Sequence, residues 1–330
     1  MEKTPNIFDY ATSELSQDAM FAWLINWSNP VYAEYNPTLN QIGNRFVRLL
    51  LNKRENFRID SIRVSKQWKN IDLWVKVNDD IVLVIEDKVE TKEHSNQLER
   101  YRDIALQRYK DTDIEIHCVY IKTGNEPNAR LERIRKKGYT TIERTAILSC
   151  IGNDYACHPL LNDYYNHLRK IEDATMSFKV LPVSQWRWYA WQGFYKEIEK
   201  HITNAEWDYT SNPNGGFLVL WWNDLPIEDV SINLQFEQDK LCFKIDAQEH
   251  KNRSEIRWKY HQLLMENIGE HIEIKRPNRF GAGRHMTIGY VDTVNLFGDG
   301  IVNIEEIILK VRQYEAIVTK CVEIVSSSNQ

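Results

Sequence analysis

The chain has 330 residues, 42% of them hydrophobic and 27% charged, which excludes disorder and collagen-like repeats and leaves room for one large α/β domain or two modest ones. A formal net charge of -5 argues against a protein that coats nucleic acid non-specifically, because such proteins neutralise many phosphates at once, so any nucleic-acid contact must be local. Scattered cysteines without a C-x-x-C pair, an opening MEKTPNIFDY without a basic-then-apolar leader, and apolar runs (IVLVI, FLVLWW) too short to span a bilayer lead us to expect a cytoplasmic protein with no membrane partner.

From Ser13 to Trp27 the spacing predicts a helix, with Ser13 as its cap and Leu15, Ala19, Ala22 and Trp23 recurring along one side. A second helix, QIGNRFVRLLLNK, places Ile42, Phe46, Leu49 and Leu50 together. The period then changes: RIDSIRVS, NIDLWVKV and DIVLVIEDK are short, β-branched and separated by the turn-like Lys69-Asn70 and Asn78-Asp79-Asp80, so three hairpin-connected strands are expected. A helix from about Lys92 to Tyr109 and the strand IEIHCVYIK make a right-handed crossover. Helices fill much of 142–172, with Tyr164, Tyr165 and Leu168 closing the first core.

After Asp173 the pattern restarts. QWRWYAWQGFYKEIEKHI reads as an aromatic helix, followed by the strands GGFLVLWW, VSINLQFEQ and KLCFKIDA, a helix near 254–267, strands at IEIKR and HMTIGYV, and a final helix from Ile304 to about Val325. The expected architecture is therefore α/β, a mixed central sheet flanked by helices over 1–175, followed by a smaller α+β unit over 176–330.

The stretch IDLWVKVNDDIVLVIEDK carries the chemistry. Alternate side chains of a strand face the same way, so Glu86 and Lys88 project to one face and Asp87 to the other, while Asp72 lies on the hairpin's neighbouring strand. Charges at the edge of an apolar run would cost several kcal/mol each if uncompensated. A Glu–Lys pair could compensate them alone, but with Asp72 there are two carboxylates, hard-oxygen ligands suited to Mg²⁺ or Mn²⁺ rather than zinc.

These residues resemble the PD-(D/E)XK nuclease superfamily, whose core is an acidic residue, a variable hairpin, then Glu or Asp, any residue, and Lys. Here Ile71 stands where that pattern has Pro. Gln97 and Tyr101, four apart on one helix face, look like its Gln-x-x-x-Tyr motif, and ELSQDAMFAWL looks like a first-helix signature whose Glu is Glu14, with Gln17 where His is frequent. The resemblance covers about the first 170 residues. It implies a restriction-endonuclease-like fold and phosphodiester hydrolysis, with Asp72, Glu86, the carbonyl of Asp87 and Glu14 (directly or through water) holding Mg²⁺ or Mn²⁺. It further implies that Lys88 orients the attacking water and that Gln97 and Tyr101 position substrate or shape the rim, with DNA favoured over RNA.

Two other readings stand beside this one. A catalytically silent nucleic-acid-binding or regulatory module on the same scaffold would ordinarily have lost a ligand. A glycoside hydrolase walled by Trp186, Trp188 and Trp191 needs an acid of raised pKa, which Lys88 beside Glu86 opposes. Basic residues at Arg130, Arg133, Arg135, Lys136 and Lys137 read as a solvated helix face or a phosphate contact. In the second unit, Arg276, Arg279 and Arg284 form a similar cluster. There Arg279 and Arg284 are candidate phosphate contacts, and the unit could read a target or form a homodimer interface.

Overall fold

The computed structural model describes residues 5–93, 96–212, 215–228, 230–238, 240–248, 252–269, 272–298 and 300–328. The chain divides into two compact units, Met1–Glu126 with Arg130–Asp173, and Pro127–Ala129 with Ala174–Gln330. Among the described residues no helix is long and apolar enough to cross a membrane.

The first unit begins with α1 (Glu14–Asn26) and α2 (Pro37–Leu51), where Asn36 caps α2 by accepting from Leu39 N and Asn52 ends it in the left-handed conformation. Then come β1 (Ile62–Trp68), β2 (Ile71–Val77) and β3 (Ile81–Lys88), joined by tight turns in which Lys69, Asn70, Asn78 and Asp79 all take positive φ. After α3 (Gln97–Arg108), β4 (Glu115–Lys122), α4 (Asn128–Lys136) and β5 (Tyr139–Glu143) come α5 (Arg144–Ile151) and α6 (Pro159–Met176). The sheet order is β1-β2-β3-β4-β5, antiparallel up to β3 and parallel from β3 to β5.

Every residue of β3 is buried, as expected of a central strand covered on both faces. On one face Leu73, Leu83, Ile85 and Val119 pack with α1, α2, α5 and α6. On the other, Trp74, Val82, Val84 and Tyr120 pack with α3 and α4. Tyr164 and Leu168 close the first of these cores.

The second unit contains α7 (Trp188–Ile198), β6 (Glu206–Thr210), β7 (Phe217–Ile227), β8 (Val230–Glu237), β9 (Lys240–Asp246), α8 (Arg253–Glu266), β10 (His285–Asp292), α9 (Thr293–Phe297) and α10 (Ile304–Ser328). Its sheet is wholly antiparallel in the order β10-β9-β8-β7-β6. One face carries the apolar core with α7, α8 and α10, and half-exposed polar side chains alternate on the other.

Several expectations are corrected. In α1, Leu15 is 54% exposed and Ala19 is also exposed, whereas Gln17 and Asp18 are buried, because this helix turns its polar residues toward the site described below. Within 142–172, Ile142 belongs to the short strand β5, not to a helix. IEIKR forms no strand, only an isolated bridge between Lys275 and Tyr290. Trp186 and Trp191 are core residues at 7% exposure, so they cannot wall a sugar cleft.

Candidate active site

The β2–β3 ladder is regular up to the pair Leu73↔Ile85 and then changes partner. Beyond it Asp87 N donates to Asp72 Oδ2 at 2.9 Å, so a carboxylate takes the place of a strand carbonyl. That substitution fixes Asp72 beside the end of β3. Glu86 and Lys88 share a face, and Lys88 Nζ lies 2.5 Å from Glu86 Oε1, 3.2 Å from the Asp87 carbonyl and 3.7 Å from Glu14 Oε2. Glu14, at the first position of α1, also accepts from Val89 N at 3.3 Å and from the Thr91 hydroxyl.

Asp87 points to the opposite face, toward α1, where Gln17 Nε2 donates to its Oδ1 at 2.7 Å. Gln17 Oε1 in turn accepts from the hydroxyls of Thr123 (2.8 Å) and Tyr164 (3.2 Å). Asp18 is the residue that sequence reasoning missed. It is 2% exposed and electrostatically coupled to Asp72, Asp87 and Lys88. A carboxylate on a surface helix ordinarily reads as solvated; only Gln17, its buried neighbour at the family's frequent His position, marked this turn of the helix.

The cluster is over-supplied with negative charge. Burial, reinforced by Asp72, pushes Glu86 up to about 8, and burial with the same neighbour pushes Asp18 up to about 7. Asp72 is raised by burial despite its bond from Asp87 N, and Asp87 is held well above the usual carboxylate range by burial and by Asp18. Burial pulls Lys88 down, but Glu86, Asp72 and Glu14 outweigh it and hold the ammonium above an ordinary lysine. Glu86 Oε2, Asp87 Oδ2 and Asp18 Oδ1 are buried without a donor among the described residues.

A family model of the PD-(D/E)XK nuclease superfamily matches residues 5–166. The first unit belongs to that superfamily. No curated protein and no solved structure matches the chain.

Nucleases of this superfamily usually use divalent metals. Among the described residues no three His, Cys, Asp or Glu side chains form a ready-made cage. What the site offers is two carboxylates, Asp72 and Glu86, and the Asp87 carbonyl. That suits Mg²⁺, which keeps several waters and takes only one or two protein carboxylates. The donor-free Glu86 Oε2 and the raised carboxylates both call for a further cation, so the residues fit.

The remaining candidates fall elsewhere. Tyr101 is 1% exposed, so its ring belongs to the core and cannot contact substrate; its hydroxyl accepts from Gln97 Nε2 at 2.9 Å and donates to the Asn70 carbonyl. The pair therefore pins the β1–β2 turn, two residues from Asp72. In the basic stretch, Arg130 pairs with Glu126 (2.6 Å), Arg135 with Glu132 (2.5 Å) and Lys137 with Glu93 (2.8 Å), which favours the solvated-face reading over a phosphate contact. Arg284 grips Asp246 through both carboxylate oxygens at 2.8 and 2.9 Å, Arg279 is exposed, and Arg276 lies over Trp258 and Phe280.

Proposed function

We propose that the first unit hydrolyses phosphodiester bonds in nucleic acid with the help of Mg²⁺ or Mn²⁺, DNA being the first substrate to test. The observation that carries this reading is the convergence of Asp72, Glu86 and Lys88 at the end of a buried hairpin, with none of the three missing. Asp72, Glu86 and the Asp87 carbonyl would hold the ion. When bound, it supplies positive charge against the anionic phosphate and activates water.

Lys88 has three donors, two of them engaged by Glu86 and the Asp87 carbonyl, which leaves one for water or a phosphate oxygen. Because the surrounding carboxylates keep it protonated, it steadies developing negative charge and does not act as a base. Glu14 aligns the end of β3 through Val89 N and places a second carboxylate near Lys88.

The test is cleavage of single- and double-stranded DNA and RNA with Mg²⁺ or Mn²⁺, and with EDTA as the blank. Asp72→Ala and Lys88→Ala are each expected to slow cleavage by about 10²-fold or more with the circular dichroism unchanged. Failure of the wild-type chain to cut any of these substrates with either ion would end the proposal. The silent-module reading is disfavoured because the donor set is complete.

A further inference from the structure

On the polar face of the second sheet, Thr210, Trp221, Asn223, Ser231, Asn233 and Gln235 help line a concavity of about 730 Å³, within the range of small-molecule sites. Pairing across the sheet sets Trp221 opposite Gln235 and Asn233 opposite Lys244. The register shifts between Trp222 and Leu225, and Asn223 in this bulge takes a φ of 55°, which re-aims its side chain.

Three features describe the occupant. A half-buried indole offers a flat stacking surface. Asn223 and Asn233 line the same cavity, and each keeps a buried polar atom, the donor Nδ2 and the acceptor Oδ1, without a partner among the described residues. Of the charged groups bordering it, Lys244 pairs with Glu237 at 2.6 Å and Asp246 with Arg284, while Asp224 adds an exposed carboxylate, so the lining does not call for a phosphate or another anion. Stacking area combined with an unmatched donor and acceptor suits a neutral planar group with a hydrogen-bonding edge.

We infer that this cavity takes an unpaired nucleobase of single-stranded nucleic acid. Base–aromatic stacking contributes most of the affinity, and the two asparagines read the base edge. The inference rests on the nuclease reading of the first unit, because it makes the second unit a reader of the same polymer.

Binding of fluorescein-labelled single-stranded DNA 12-mers to the full chain, in EDTA so that no cleavage occurs, tests it. Trp221→Ala is expected to weaken binding by about ten-fold or more, and Asn233→Leu by a few-fold, with Trp221→Phe close to wild type. A strand carrying 5-iodouracil, photo-crosslinked to the wild-type protein, should attach within 217–227, a readout that requires no variant to fold. Unchanged affinity in a folded Trp221→Ala protein, or crosslinks only elsewhere, overturns the inference while leaving cleavage intact. Displacement of the strand by an oligosaccharide but not by nucleosides marks a sugar site and overturns it too. A wild-type chain that neither binds nor cuts nucleic acid defeats both readings.

Discussion

At the scale of single residues, the site is strained by charge in the absence of a cation, and pH should reveal it. Glu86 has its pKa raised from 4.5 to about 8 by burial, so the unfolded chain ionises first. Stability is full at low pH, falls as pH rises across that interval, and stays low above it. Melting curves in EDTA should therefore drop between pH 5 and pH 8, and Glu86→Gln should flatten that drop while abolishing cleavage. Tyr101→Phe separates a positioning role from substrate contact. Losing the bond to the Asn70 carbonyl should cost about 1 kcal/mol in urea unfolding and leave the KM for nucleic acid unchanged. Of this site, Asp72, Glu86 and Lys88 were legible because a two-residue alternation on neighbouring strands needs no long-range knowledge. Asp18 was not, and Gln17 was marked only through the resemblance, because the burial of both is imposed by strands distant in sequence.

At the scale of elements, the approach of α1 to α2 governs where Glu14 stands. Gly43 permits it: a Cβ there would lie 2.7 Å from Ser28 N and 2.9 Å from the Leu24 carbonyl, both backbone atoms that cannot yield as a side chain would. Gly43→Ala should lower stability by about 1–3 kcal/mol, measured as a shift of the denaturant midpoint, and weaken cleavage by moving α1. Long apolar strands and helices with clear periods were readable along the whole chain. Among what escaped were the five-residue α9 and the strands β5 and β6, also five residues each, whose pairing comes from an already formed neighbour and not from their own pattern. The reading of α1 failed differently. Its apolar residues go almost all the way round, so spacing alone could not choose which side the core would take.

At the scale of the whole molecule, each hydrophobic core is drawn from one unit only, residues 8–168 for the first and 178–325 for the second. Calorimetry should resolve two transitions, and Mn²⁺ should raise only one of them, a response that Asp72→Ala removes. A single transition raised as a whole by the ion would contradict that separation. The contact of Lys88 with Glu86 and with the Asp87 carbonyl has a last consequence for how the chain matures. An ammonium resting on the very oxygens offered to a metal serves as a built-in placeholder, partly neutralising the hairpin while the polypeptide collapses. If the nuclease reading holds, then unlike small zinc modules, which stay unfolded until loaded, the chain should refold in EDTA and gain cleavage only when Mn²⁺ is added afterwards.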